Sequence, residues 1–130
     1  MRQSENTVQQ QLVKLLESHC RPDVCWFAVP NGEWRFPRTA QRLKLQGVRP
    51  GAPDLVFIVR GKFHGLELKR EGGRVSNSQQ EMGDTITIAG GYYHVCHGLR
   101  EAIKYLNDCD VFTAGLKFTF CDKEAIVRRR

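Results

Sequence analysis

The continuous apolar run at residues 55–59, Leu-Val-Phe-Ile-Val, constrains the fold more than any other segment of this 130-residue chain. Successive side chains of a strand point to opposite faces, so a strand of this composition must be covered on both faces. The next strand, residues 63–69, alternates instead, with Leu66 and Leu68 on one face and Glu67 and Lys69 on the other. A chain of this length is expected to form one domain, with helices packed against a single sheet.

Helical and strand periodicities place the remaining elements around these two strands. Helices are predicted at residues 5–18, 38–46, 76–89 and 99–106, and further strands at residues 24–29 and 92–96. A hairpin is expected over residues 111–120, turning at Ala114-Gly115, with Arg128, Arg129 and Arg130 as a disordered tail. Strands separated by helices indicate an α/β fold with a mixed central β-sheet flanked by helices.

Positive charge is concentrated in one segment of the chain. There are 20 basic and 14 acidic residues, a formal net charge of +6, and residues 31–50 hold five basic residues against one acidic residue. A polyanion such as nucleic acid is the natural partner of such a segment, through phosphate contacts. A solvated basic surface explains the same charge, so charge alone leaves both interpretations open.

The N-terminus and the cysteines bear on the compartment. The first residues lack the apolar stretch of a signal peptide, and no apolar run approaches the roughly 18–20 residues of a membrane span, so no membrane partner is expected. Five cysteines without a Cys-x-x-Cys pair favour reduced thiols, as in a cytoplasm. The location expected for the protein is the cytoplasm of a bacterial or phage-infected host cell. His94, Cys96 and His97 invite a zinc site, but a structural site needs four converging ligands, and none is predicted.

Asp54, Glu67 and Lys69 form the group with the clearest chemistry. If Gly61 and Lys62 are the loop residues of a hairpin, Asp54 lies opposite Lys69 and diagonal to Glu67, roughly 7–8 Å away between Cα atoms. Two carboxylates at that separation can share a divalent cation, and oxygen ligands suit Mg²⁺ or Mn²⁺. An exposed Asp54–Lys69 pair with Glu67 solvated is the alternative that spacing alone leaves open.

Several short motifs surround this group in a fixed order. They are Pro30-Asn31-Gly32, Gly-Val-Arg-Pro-Gly-Ala-Pro-Asp-Leu at 47–55, His-Gly-Leu-Glu-Leu-Lys at 64–69 and Ser-Asn-Ser-Gln at 76–79. In that order they resemble the virus-type replication-repair nuclease (VRR-NUC) family, and Pro53-Asp54 ahead of Glu67-Leu68-Lys69 resembles the PD-(D/E)XK nuclease signature. The resemblance implies a restriction-endonuclease-like core over residues 1–108, with residues 109–130 as an extension of the same domain.

The resemblance also implies roles for the matching residues. Asp54, Glu67 and the backbone carbonyl of Leu68 are the expected ligands of Mg²⁺ or Mn²⁺, and Lys69 is the expected catalytic lysine. Glu5 and Gln79 match two further catalytic positions. The residues expected on the DNA-facing side are Asn31, Arg38, Arg42, Lys44 and Arg49.

Glu5 and Gln79 also have simpler explanations. An acidic residue in the first turn of a helix, such as Glu5, favours the helix dipole. The spacing of Ser76 and Gln79 is that of a capping box, which could hold the glutamine near the site at the same time.

The activity implied by the resemblance is divalent-metal-dependent DNA endonuclease activity in replication or repair. Stand-alone members of the family resemble Holliday-junction resolvases, so a homodimer acting on four-way junctions is expected, since two-fold symmetry suits symmetric cutting. Flap cleavage, sequence-specific cleavage and a non-catalytic nucleic-acid-binding module are the alternatives. Among these alternatives, only the non-catalytic binding module does not require Asp54, Glu67 and Lys69 to act together.

Overall fold

The computed structural model describes residues 4–30, 36–121 and 124–129. The elements are α1 Glu5–His19, β1 Val24–Ala28, α2 Pro37–Leu45, β2 Leu55–Val59, β3 Lys62–Lys69, α3 Asn77–Ile88, β4 Tyr92–His97, α4 Leu99–Asp108, β5 Leu116–Cys121 and β6 Glu124–Arg129. The predicted order is confirmed, and from α1 to α4 each end lies within two residues of its predicted place. Within the described ranges, no helix is both long and apolar enough to cross a membrane.

The main sheet has four strands in the order β1-β2-β3-β4. β1, β2 and β3 pair antiparallel, whereas β4 runs parallel to β3 because α3 forms a crossover between them. The predicted mixed sheet flanked by helices is therefore confirmed. β5 and β6 pair with each other in a second, two-stranded sheet.

The core lies between one face of the main sheet and helices α1 and α4. Leu12 and Leu16 of α1 and Ile103 and Leu106 of α4 are buried there against the apolar face of β2 and β3. On the opposite face of β2, Val56 is buried but Ile58 remains 39% exposed. The expectation of a strand covered on both faces is thus met only in part, and the second face is the one that carries Glu67 and Lys69.

The turn between β2 and β3 differs from the prediction by one residue. Arg60 and Gly61 form the turn, both with positive φ, and Val59 pairs with Lys62. Two successive positive φ values are those of a type I′ turn, whose twist matches that of an antiparallel hairpin. The prediction that Gly61 and Lys62 form the loop and that Asp54 faces Lys69 is therefore wrong.

The C-terminal segment also differs from the prediction. The hairpin is formed by β5 and β6, so both of its strands follow Ala114-Gly115 and the chain does not form the hairpin turn there. The reason is that Val111 and Phe112 are buried beside the end of α1, where Phe112 forms a bridge with Cys20, so they are not available to pair with β5. Residues 128 and 129 lie in β6 and are not a disordered tail, and residue 130 lies outside the described residues.

Candidate active site

Asp54 and Glu67 face each other where β2 begins beside β3. Leu55 pairs with Leu66, so one step beyond the ladder Asp54 stands opposite Glu67, and the predicted diagonal relation becomes a direct one. Oδ2 of Asp54 accepts a hydrogen bond of 2.7 Å from the backbone N–H of Leu68, which fixes this carboxylate against β3. Lys69 is half-buried two residues after Glu67, on the same face of β3. The structure thus brings Asp54, Glu67 and Lys69 together.

The Glu67 carboxylate is buried and only partly satisfied. Its side chain is 4% exposed, and Oε1 accepts a hydrogen bond of 2.6 Å from Nε2 of Gln79. Oε2 is also buried, and it accepts no hydrogen bond from any described residue. Burial, followed by the charge of Asp54, raises the pKa of Glu67 to about 8, with Glu5 adding to the rise and Lys69 opposing it. A buried carboxylate beside a second carboxylate needs a proton or a cation.

Gln79 reaches Glu67 because a capping box fixes it in the first turn of α3. Oγ of Ser76 accepts from the backbone N–H of Gln79, at 3.2 Å, and Oε1 of Gln79 accepts from the backbone N–H of Ser76, at 2.9 Å. The predicted capping box is confirmed. Because its oxygen is used in the cap, the same amide presents its nitrogen to Glu67. The two explanations considered for Gln79 are therefore compatible.

The remaining predicted residues that the structure describes lie on α1, on α2 and in the turn that follows α2. Glu5 is exposed in the first turn of α1, and its negative charge contributes to the raised pKa of Glu67. α2 buries no residue, so its cations are presented to solvent. The exposed cations of α2 and of the turn that follows it are Arg38, Arg42, Lys44 and Arg49. Asn31 lies outside the described residues.

The donor set of this site fits a hard divalent cation. In the described part of the chain, no group of three or more His, Cys, Asp and Glu side chains could hold a metal ion. Asp54 and Glu67 would therefore need backbone or water oxygens to complete a coordination sphere, which is common for Mg²⁺ and Mn²⁺. The unsatisfied Oε2 of Glu67 is the observation that supports this fit. His94 is not part of the site, because it stacks on Tyr105 with ring centroids 4.1 Å apart on the other face of the sheet.

Tyr93 lies beside this site, although the sequence analysis does not include it. It pairs with Gly65 of β3, and its hydroxyl donates to the carbonyl oxygen of Gly51 at 3.4 Å. Burial, with the charges of Glu67 and Asp54, raises the pKa of Tyr93, so the hydroxyl keeps its proton. The alternation of β4 shows that Tyr93 and Val95 share a face, but only the parallel register with β3 shows which face that is.

Comparisons with known proteins identify the family. The sequence profile of the VRR-NUC domain matches residues 4–100, well over half of the chain. A solved structure described as a VRR_NUC domain protein has the same fold, with a TM-score of 0.63 and 17% sequence identity over 82% of this chain and 88% of that chain. No curated protein matches the sequence. The chain therefore belongs to the VRR-NUC family of nuclease domains.

Proposed function

We propose that this protein is a divalent-metal-dependent DNA endonuclease that cuts branched DNA, with four-way junctions as its preferred substrate. One observation supports the metal-dependent part of the proposal above all others. Glu67 is buried opposite Asp54 with one carboxylate oxygen that no described residue satisfies, and Lys69 stands two residues away. A surface ion pair would leave Glu67 in water, whereas a shared cation needs the two carboxylates to be held close together, as they are here.

Asp54, Glu67 and the backbone carbonyl of Leu68 would hold Mg²⁺ or Mn²⁺. When bound, such a cation neutralises charge on the phosphate and lowers the pKa of water. The bond from the Leu68 N–H orients Asp54, and the bond from Gln79 orients Glu67. Both carboxylates are therefore fixed before substrate arrives, which lowers the reorganisation that the reaction requires.

Lys69 and Glu5 complete the proposed site. The ammonium group of Lys69 stabilises negative charge that develops on the phosphate and orients the attacking water. Glu5 acts from the first turn of α1, where its charge reaches Glu67 and favours occupation of the site by a cation. Gln79 and Glu5 thus act mainly on Glu67, whereas Lys69 acts on the substrate.

The exposed cations of α2 and of the turn that follows it would contact the DNA backbone. Arg38, Arg42 and Lys44 project from α2, and Arg49 follows in the turn that leads to Asp54. Arginine and lysine at such positions bind phosphates and orient a duplex without reading its sequence. Asn31 is proposed for the same surface from the sequence alone.

The proposed assembly is a homodimer in the cytoplasm. Residues 1–108 would form one nuclease core that cuts one strand, and a four-way junction needs two symmetric cuts. Two copies related by a two-fold axis supply both. Light scattering of the purified protein measures the mass, and a monomer at micromolar concentration would contradict this part of the proposal.

The experiment that tests the activity compares substrates of equal length. Labelled four-way junctions, flaps and linear duplexes are incubated with Mg²⁺, with Mn²⁺ and with EDTA. The expected result is metal-dependent cleavage of the junction at a higher rate than cleavage of the flap or the linear duplex. Equal cutting of all three would exclude junction selectivity, and discrete sequence-defined products on plasmid DNA would indicate a restriction-type enzyme. Binding without metal-dependent cutting would favour the non-catalytic module.

The site assignment is tested with isosteric variants. Asp54→Asn, Glu67→Gln and Lys69→Met should each lower the cleavage rate by about 100-fold or more, because each removes a charge that the reaction uses. Glu17→Gln is the matched control, since Glu17 is an exposed glutamate near the other end of α1. If the three variants cut as fast as this control, the assignment is wrong.

A further inference from the structure

Tyr93 contacts two segments of the site, the turn that leads to Asp54 and helix α3, which carries Gln79. Its hydroxyl donates to the carbonyl oxygen of Gly51, three residues before Asp54. Its ring packs against α3 at Gly83, where an added Cβ would lie 2.7 Å from Cδ1 of the ring. One side chain therefore joins the turn that leads to Asp54 with the helix that carries Gln79.

The contact at Gly83 is well placed to act on Gln79. The two residues are four apart in α3, so they lie on the same face of the helix, one turn from each other. Gly83 is buried, and the absence of a side chain lets the ring of Tyr93 approach the helix backbone. A change in the volume of residue 93 would shift the first turns of α3, and with them the amide that contacts Glu67.

The turn and the helix also touch each other directly. A Cβ on Gly51 would overlap the carbonyl group of Ser78 and would lie 2.8 Å from the backbone nitrogen of Gln79. Gly51 has a φ of +82°, which also favours glycine. Tyr93 thus contacts both Gly51 and α3, and Gly51 in turn contacts the first turn of α3.

We propose that Tyr93 is a positioning residue that sets the distance between the turn bearing Asp54 and the helix bearing Gln79. Through these two segments it controls how Asp54 and Glu67 face each other. The ring supplies most of this control, since it makes the close contact with Gly83, and the hydroxyl bond to Gly51 adds to it. The expected effect on cleavage rests on the proposed nuclease function, whereas the expected effect on the site's structure does not.

The test compares Tyr93→Leu and Tyr93→Phe with Tyr92→Leu. Tyr92 is the matched control, because it is the neighbouring tyrosine, half exposed on the other face of β4. Misplacement of catalytic groups by about 1 Å can cost about 100-fold in rate, so Tyr93→Leu should lower kcat by about 30-fold or more, with KM for the junction within about twofold. Tyr93→Phe keeps the ring and should recover most of this loss. Tyr92→Leu should keep wild-type kcat.

A second readout does not depend on activity. In nitrogen-edited NMR spectra, Tyr93→Leu should shift the Leu68 backbone amide and the Gln79 side-chain amide, and calorimetry should show weaker Mn²⁺ binding. Should Tyr93→Leu fail to fold, Gly83→Ala displaces the same ring and should give the same changes. A folded Tyr93→Leu with wild-type amide shifts, Mn²⁺ affinity and kcat would overturn the proposal. If the wild type itself cuts no DNA, the proposed activity fails, and the amide shifts and Mn²⁺ affinity still decide the role of Tyr93.

Discussion

Gln79 donates to Glu67 over 2.6 Å with the nitrogen of the same amide whose oxygen caps α3. A single side chain therefore ties the start of a helix to the buried carboxylate of the site. The bond leaves Oε2 of Glu67 as the atom that lacks a partner among the described residues. The position of α3 therefore fixes the Glu67 carboxylate, and this carboxylate would in turn hold the cation.

Gln79→Glu separates the two functions of this amide. The glutamate can still accept the bond from the Ser76 N–H, but it replaces the donor to Glu67 with a second negative charge. The cleavage rate should fall by about 10- to 100-fold, while α3 keeps its cap. Rate measurements and circular dichroism check both parts, with Gln10→Glu on the exposed surface of α1 as the control. Wild-type cleavage by Gln79→Glu would show that the amide donor is not needed.

The raised pKa of Glu67 predicts that the metal-free protein loses stability as the pH rises. The pKa is 4.5 for an ordinary glutamate and about 8 here, so the folded chain keeps a proton that the unfolded chain has released. Between these values the free energy of unfolding falls with rising pH, by at most about 1.4 kcal/mol per pH unit. Urea titrations in EDTA at several pH values measure the slope, and Glu67→Gln should remove most of it.

Mn²⁺ should reverse this dependence on pH. At the proposed site the cation would bind the ionised carboxylates, so it should stabilise the folded protein more strongly at about pH 8 than at about pH 5. The gain in midpoint urea concentration on adding Mn²⁺ should be lost in Glu67→Gln and retained in Glu17→Gln. An equal gain at both pH values would mean that the cation binds elsewhere.

The placement of Asp54 and Glu67 close together on one face of the sheet could be predicted although the predicted turn was wrong. Moving a two-residue loop by one position shifts the register by two, and strands repeat every two residues, so both carboxylates stay on the same face. The burial of Glu67 could not be predicted, because it depends on α3 and on the Gly51 turn closing over β3. The position of Tyr93 depends on the parallel register of β4, which a long crossover sets.

The C-terminal segment shows where local patterns fail. The apolar residues Val111 and Phe112 predict a strand, and they are buried as such a pattern requires. Their partner is the end of α1 near Cys20, about ninety residues away in the sequence, and no local pattern indicates so distant a contact. The hairpin therefore begins at Leu116, after Gly115 has turned the chain with a positive φ.

Gly51→Ala should be far more damaging than Gly47→Ala. Both glycines have a positive φ, of +82° and +89°, so alanine is strained at either position by about 1 kcal/mol. A Cβ at position 51 also overlaps the Ser78 carbonyl, whereas nothing lies within 4 Å of a Cβ at position 47. Gly51→Ala should lose more than about 3 kcal/mol of unfolding free energy, measured in urea. Equal losses in the two variants would show that α3 does not pack on this turn.

Neutralising α2 should weaken DNA binding in a way that depends on salt. Replacing Arg38, Arg42 and Lys44 with glutamine would remove the three phosphate contacts proposed for α2, so the slope of log K against log salt should fall by about 2–3. Fluorescence anisotropy in the Asp54→Asn background measures binding without cleavage. The control replaces three exposed lysines on other elements, Lys14, Lys104 and Lys117. If the slope falls by the same amount in both triple variants, the chain binds DNA through its net charge, and α2 is not the DNA-facing surface.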